Sequence, residues 1–372
     1  MTEKDLKAMY RSRTEGQFPE TVEVLGRGYV KVEDLRYGTN PHQPAAFYKP
    51  ADGSTLALGA YSMLKTGKSG LSQTNLEDMH HAIGILKYMD RPACAVMKHC
   101  NPSGAAIQQT GMSLVEVYKR ARDADAQAAF GSVVAFNTSV DADTATEIMQ
   151  TIVEGVVAPA FSETALAVFH DFDTFKRNKA IRIVQTPPFD GLPKYTDDTP
   201  NALEIKMFDD GALVLAQPYL SRLRTVDDFV PAYNEHTKKG RIDITRKPTP
   251  QELDDLLFAW RVNLHVRSNG VVIARNGQTL AVGTGEQDRV GAVQQAILKA
   301  QTKYKGEKSL AGAVMASDGF FPFRDAVDAA TEAGITALAQ PGGSVNDYDA
   351  IAACNEKAAT MVFTLERCFS HH

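Results

Sequence analysis

Residues 93–104 read ACAVMKHCNPSG. The apolar run Ala93, Cys94, Ala95, Val96 and Met97 has the pattern of a buried strand. Lys98 and His99 stand at its end, and Asn101, Pro102, Ser103 and Gly104 are turn formers. A strand that delivers a lysine and a histidine into a tight turn is a way to place reactive groups at the carboxyl edge of a sheet. Lysine and histidine are also the side chains whose proton affinity moves most usefully toward neutrality. The plainer reading is a surface turn that carries two bases, and the spacing alone does not choose between them.

The flanking sequence supplies a context. Toward the amino terminus, LRYGTNPHQPAAFY puts Arg36 and Tyr37 beside Gly38, where forked guanidinium donors and a close backbone approach suit a phosphate, although in isolation an ordinary surface turn is the plainer reading. Residues 71–78 read as a loop entering a helix over 79–89, with His80 and His81 as ordinary helix residues. A short helix is expected near residues 3–11. After the opening stretch come a helix over 113–129, a strand at 132–136, a helix over 141–154, a strand-like segment at 155–159, a helix near 163–170 and a strand at 180–185. Short apolar strands alternating with amphipathic helices are the signature of an α/β fold.

Residues 186–201 are a proline-rich connection, 204–217 a hairpin, and 218–247 a polar, basic bridge expected to be a solvated face. A second half then opens with Thr249 as N-cap, Pro250 at the first helical position and Glu252 completing a capping box. Leu256, Leu257, Trp260 and Leu264 form the core face of that helix. Asn276-Gly277 between two apolar runs is the strongest short hairpin signal. Gly283-Thr284-Gly285 before the next helix is a natural anion site, although neither a dinucleotide fingerprint nor a P-loop is present. A strand at 311–317, a helix opened by Asp325, a strand at 337–340, the turn Pro341-Gly342-Gly343-Ser344, a helix and a last strand complete the chain. The two halves share this rhythm.

The chain has 372 residues, enough for two domains or one domain of two halves. A net charge of −5 gives no drive toward nucleic acid or an anionic membrane. The four cysteines, Cys94, Cys100, Cys354 and Cys368, form no C-x-x-C pair, so neither a zinc site nor a disulfide framework is indicated. The charged first twenty residues lack a signal-peptide pattern, and no apolar run approaches a membrane span. The expectation is a soluble cytoplasmic protein.

Taken together, LRYGTNPHQ, NLED, KHCNPSG, AAFGSVVAFN, VEGVVAP, FAWRVNLHVRSNGVVIA, GEQDRV, SDGFFPFRDAVDAA, QPGGS and RCFSHH occur in the order of one family. Over residues 30–372 the chain resembles the transformylase portion of the bifunctional purine enzymes that join AICAR transformylase to IMP cyclohydrolase. The resemblance implies an α/β fold of two cytidine-deaminase-like α/β/α subdomains, a duplication, with an extension at 1–30, subdomains at 31–200 and 248–372, and a connecting segment at 201–247. It implies a homodimer with sites across its interface. The deaminase zinc signature is absent, so no zinc is expected. No counterpart of the cyclohydrolase domain is recognised, which predicts a free-standing transformylase and a separate IMP cyclohydrolase.

The implied reaction moves a formyl group from 10-formyltetrahydrofolate, the co-substrate, to the 5-amino group of AICAR. That amine is a poor nucleophile because its lone pair is delocalised. The reaction needs a base, charge control on the tetrahedral intermediate, and a proton for the departing folate nitrogen. By resemblance His99 is the base, Lys98 stabilises the intermediate, and Asn269 orients substrate or oxyanion. The lysine's charge favours a neutral histidine. The nucleotide site implied in the same way comprises Arg36, Tyr37, His99, Gly131, Glu154, Asn269, Arg289, Phe320 and Arg367, with Arg36 and Arg367 toward the phosphate and Phe320 packed on the imidazole. Val290, Asp325, Ser344 and Val345 would face the folate, Asp325 accepting from the pterin. His42, Asn75 and His371 complete the candidates, and a structural monovalent cation is left open. Glu154 stands where some members have aspartate, and Gly319 where alanine is usual. Two rivals are a relative using formate and ATP, and a silent AICAR-binding protein; retention of Lys98 and His99 speaks against the second.

Overall fold

The computed structural model describes residues 13–67 and 69–371. The helix expected near residues 3–11 lies outside the described residues. The chain begins with an antiparallel three-stranded sheet of β1 (Thr21–Val24), β2 (Arg27–Asp34) and β3 (Ala46–Pro50). β2 runs through residue 30, where the sequence placed the end of an extension.

The first half follows as β4 (Ser62–Lys65), α1 (Gln73–Leu86), β5 (Ala93–Lys98), β6 (Asn101–Ile107), α2 (Leu114–Asp123), β7 (Ser132–Phe136), α3 (Ala142–Met149), β8 (Val153–Ala158), α4 (Glu163–His170) and β9 (Arg182–Gln185). α1 starts six residues earlier than the hydrophobic pattern suggests. The Ser72 side chain accepts from the Asn75 amide while Asn75 returns the bond to the Ser72 amide, a capping box that uses asparagine at its third position. Residues 101–104 are not the turn. They open β6, and His99-Cys100 turn the chain instead, with Lys98 paired to Asn101. The helix expected over 141–154 stops at Met149, so Glu154 sits in β8 rather than in a helix.

Between the halves, β10 (Glu204–Met207) and β11 (Leu213–Ala216) form the expected hairpin. The bridge expected at 218–247 is more structured than its polarity suggests: β12 (Val230–Pro231) joins the second sheet, and β13 (Tyr233–His236) pairs with β14 (Gly240–Asp243). The second half is α5 (Pro250–Asn263), β15 (Val271–Ala274), β16 (Thr279–Gly283), α6 (Arg289–Thr302), β17 (Val314–Ser317), α7 (Asp325–Glu332), β18 (Ala337–Gln340), α8 (Asp347–Glu356) and β19 (Thr360–Phe363).

Two six-stranded mixed sheets organise this α/β fold, ordered β4-β9-β8-β7-β5-β6 and β12-β19-β18-β17-β15-β16. In both, the three middle crossover strands are parallel and the other neighbours antiparallel. Order, sense and intervening helices therefore correspond strand for strand. The sheets meet edge to edge. Ile107 N donates to Gly277 O at 2.9 Å, and Ala105 N to Thr279 Oγ1 at 2.9 Å, so each exposed edge satisfies the other. One apolar core, including Met79 and Ile83 of α1 and Leu256 and Trp260 of α5, spans both halves. Separate cores lie under α2–α4 and under α6–α8.

This topology corrects one expectation. β5 runs antiparallel to β7. The carboxyl end of β5, with Lys98, thus lies beside the amino ends of β7, β8 and β9, not at the carboxyl edge of the parallel strands.

Candidate active site

The hairpin between β5 and β6 carries Lys98 and His99. Its two central residues, His99 and Cys100, have φ of +54° and +59°. A two-residue turn matched to the twist of its strands requires left-handed backbone at both positions, which normally selects asparagine and glycine. For other residues this conformation costs roughly 1–2 kcal/mol each. Asp78 of α1 offsets the cost: its Oδ1 accepts from the Cys100 amide at 2.7 Å. A hydrogen bond to a charged group contributes about 1.5–3 kcal/mol, the same order as the strain. Burial pushes the Asp78 carboxyl up to about 6; the Cys100 and His99 amides oppose that rise, and the charges of Glu154 and Glu77 add to it.

The hairpin is also tied from its far side. Asn101 Oδ1 accepts from Arg267 N at 2.9 Å and from Thr284 Oγ1 at 2.8 Å, both in the second half. Lys98 Nζ donates to Phe130 O at 2.6 Å, just before Gly131, whose φ is +72°. His99 is exposed. Lys98 and His99 line a cleft of about 250 Å3 with Asn101, Asp125, Thr284 and Lys299.

At the same sheet edge lies a group built around Arg36. Its Nη2 donates to Tyr37 Oη at 2.8 Å and stands 3.8 Å from Glu154 Oε2. Asn75 Nδ2 donates to the same carboxylate oxygen at 2.9 Å. Arg182 was not anticipated. Its Nε donates to Gly70 O at 2.9 Å, and burial, with the neighbouring Arg36 charge, holds its guanidinium down to about 10. Among the described residues, Arg36 Nε and Arg182 Nη2 are buried without a protein acceptor. Two guanidiniums against one half-exposed carboxylate leave positive charge and free donors, the requirement for holding a phosphate. Nothing in the local sequence marks Arg182, because it belongs to an ordinary strand and reaches Arg36 only through the sheet.

The second half holds a larger cleft, about 600 Å3, lined by Asn269, Arg289, Phe320 and Arg367 among others. It lies at the carboxyl ends of β17, β18 and β19. Asn269 Nδ2 donates to Glu286 O at 2.8 Å. Arg289 is buried and its Nη1 bonds to the fully buried Asp318 carboxylate, whose Oδ2 accepts from Gly270 N at 2.8 Å. A Cβ on Gly319 would stand 2.6 Å from Arg289 Nη2 and 2.7 Å from Phe369 Cε1, so glycine here leaves room for both side chains. The Phe320 ring is exposed at the cleft. Arg367 is exposed, its guanidinium 4.9 Å from the Phe369 ring centre.

The residues expected to face folate flank this cleft and do not line it. Val290 is half-buried next to Arg289, and Asp325 is exposed at the start of α7. Ser344 is buried and Val345 is 82% exposed. Asp347 shapes that loop, its Oδ2 accepting from Gly343 N at 2.7 Å and Ser344 N at 2.9 Å. His42 is exposed in the turn closed by Asn40 and Gln43. His371 lines a third cavity of about 660 Å3 together with His80, His81 and His265. His81 Nδ1 and His265 Nδ1 stand 3.1 Å apart, so His81 does more than decorate a helix. Among the described residues, Lys98 and His99 line one of these clefts and Asn269 and Arg289 the other; Arg267, two residues before Asn269, is bonded to Asn101 of the first.

Among the described residues no cluster of three or more histidines, cysteines or carboxylates is placed to hold a metal, and no helix is long and apolar enough to cross a membrane. The family model of the AICARFT/IMPCHase bienzyme matches residues 4–299. The chain is 40% identical over 362 residues to a bifunctional purine biosynthesis protein PurH of Oceanobacillus iheyensis, covering 97% of this chain and 63% of that protein. It is 40% identical over 358 residues to the PurH protein of Acetivibrio thermocellus, with 96% and 62% covered. Against the PurH protein of Magnetococcus marinus it is 39% identical over 372 residues, with 98% and 64% covered. The chain thus spans less than two thirds of the length of these relatives. The ordered motifs, the α/β fold and a family match over most of the sequence lead to one conclusion: this chain belongs to the AICARFT/IMPCHase bienzyme family.

Proposed function

We propose that this protein transfers a formyl group from 10-formyltetrahydrofolate to the 5-amino group of AICAR, giving FAICAR and tetrahydrofolate in purine biosynthesis. The observation that carries the reading is the Lys98-His99 hairpin, held in left-handed backbone beside the Arg36, Arg182 and Glu154 group. His99, exposed on a rigid turn, takes the proton from the AICAR amine as it attacks the formyl carbon. Lys98 faces the developing oxyanion and supplies the proton for the departing folate nitrogen. Asn269 orients the substrate, and Arg36 and Arg367 hold the phosphate. Glu154 accepts from ribose hydroxyls, and the rim formed by Val290, Asp325, Ser344 and Val345 receives folate.

In the working form proposed here, a homodimer, a second copy of the chain completes the site across the interface, so that Lys98 and His99 act with Asn269 and Arg289. The β10–β11 hairpin supports this. Ile205, Met207, Leu213, Val214 and Leu215 are all exposed, and apolar side chains grouped on one surface hairpin are what an interface would cover. The corresponding sheets of the two halves support a duplication of cytidine-deaminase-like subdomains. The test is purified protein with AICAR and 10-formyltetrahydrofolate, followed by tetrahydrofolate release. Release without ATP is expected. Turnover only with formate and ATP, or binding without turnover, overturns the reading.

A further inference from the structure

Each half contains the same device. α1 and α5 are both 14 residues long, and the sixth residue of each is an aspartate: Asp78 and Asp255. Each aspartate accepts backbone amides from the β-hairpin that follows in its own half. Asp255 Oδ2 accepts from Asn276 N at 2.8 Å and Oδ1 from Gly277 N at 2.7 Å. Asp78 Oδ1 accepts from Cys100 N at 2.7 Å. The sequence separation from aspartate to the second turn residue is 22 in both. All four turn residues are left-handed, with φ of +54° and +59° at His99 and Cys100 and +53° and +67° at Asn276 and Gly277.

Asn276-Gly277 adopt that turn readily, and Asp255 is an addition to what the residues already favour. His99-Cys100 disfavour it, so there the aspartate decides. We infer that Asp78, to which nothing above assigns a part in the reaction, is the positioning residue that holds His99 in its working orientation by binding the turn amides of the Lys98–Asn101 hairpin. The inference rests on the proposed formyl transfer for its kinetic consequence but not for its structural one. Asp78 is buried beneath the turn, so it acts through the backbone of His99 and Cys100. Released from the carboxylate, the turn relaxes toward right-handed backbone and swings the imidazole off its line. A misplacement of about 1 Å in such a group costs on the order of 100-fold in rate.

The experiment uses the full chain and four variants: Asp78→Ala, Asp78→Asn, the double variant Asp78→Ala with Cys100→Gly, and Asp255→Ala. Three quantities are read: kcat, AICAR affinity by calorimetry, and deuterium exchange of a peptide covering residues 96–104. Asp78→Ala is expected to lower kcat about 100-fold with little change in AICAR affinity, and to speed exchange of the hairpin amides. Asp78→Asn keeps a carbonyl acceptor and loses about tenfold. The double variant recovers at least about tenfold over Asp78→Ala, because glycine takes positive φ without help. Asp255→Ala lowers the melting temperature and leaves kcat alone. Wild-type kcat in Asp78→Ala, or loss without rescue by Cys100→Gly, overturns the inference. If the wild-type chain releases no tetrahydrofolate, the proposed function fails while the exchange data still judge Asp78: unchanged exchange in Asp78→Ala sinks the positioning role, and faster exchange that Cys100→Gly reverses upholds it.

Discussion

The hairpins at residues 98–101 and 275–278 occupy the same place in two sheets of the same order, yet they are built from opposite materials. One turns on Asn-Gly, the pair that left-handed backbone prefers. The other turns on His-Cys, which it does not prefer. Both rest on an aspartate at the same helix position. The contrast is that, of two copies of one motif, the copy that violates local preference is the one to which the proposed reaction assigns its base. The strain is tolerable because the scaffold beneath it is already sufficient for a turn.

The comparison can be broken most directly at His99. His99→Ala is expected to lower kcat by about 100- to 10,000-fold, the range of a general base, with AICAR affinity preserved in a calorimetric titration. Near-normal turnover would make the two hairpins equivalent turns and remove the chemical distinction between them. The turn itself can be challenged from the other side. A Cβ on Gly277 would stand 2.2 Å from Gln109 Nε2 and 2.7 Å from Ile107 Cγ2 at positive φ. Gly277→Ala should therefore cost about 2–4 kcal/mol in a denaturant titration, left-handed strain and crowding together. Cys100→Gly at the matching position should do the reverse, stabilising by at most about 1 kcal/mol as relief of strain is set against added freedom in the unfolded chain. Equal signs at the two positions would refute the contrast.

Arg367→Ala is expected to weaken AICAR binding about 10- to 100-fold, the worth of one charge-assisted hydrogen bond, with kcat at saturation less affected. An unchanged calorimetric affinity would retire its phosphate role. The smallest effect concerns the second half alone. Burial by itself would raise the Glu252 carboxyl, but bonds from Arg246, Thr336 and the Thr249 amide hold it down at about 2. A folded-state value below the ordinary carboxyl value contributes stability that is present above about 4.5 and is lost as pH falls through about 2. Trp260, the single tryptophan, is fully buried in the same helix and reports on this half by fluorescence. Glu252→Gln should flatten the acid loss of the Trp260 signal over that window; an identical acid profile in both proteins would remove the linkage.

Much of the second half was legible because its signals are local. The box of Thr249 and Glu252 marks the start of α5, and Asn276-Gly277 marks the hairpin, each within four residues of sequence. The first half resists the same reading. Residues 101–104 carry every mark of a turn and yet form a strand, because Asp78, 22 residues upstream of Cys100, supports the turn two residues earlier. Glu154 follows a helical stretch and lands in β8, at the register shift between Val153, paired with Ser132, and Gly155, paired with Val133. Arg182 had no motif at all.

From the order of residues alone came the α/β alternation, the rhythm of two halves, the family and the candidate groups for the proposed chemistry, since periodicity, capping and ordered motifs are carried by neighbouring residues. Folding in three dimensions decided which edge of the sheet receives Lys98, which residues make its turn, which buried carboxylate holds that turn, and which second arginine stands beside Arg36. Those outcomes depend on strand direction and on contacts between residues far apart in the chain. Their energies exist only when the sheet has assembled around them.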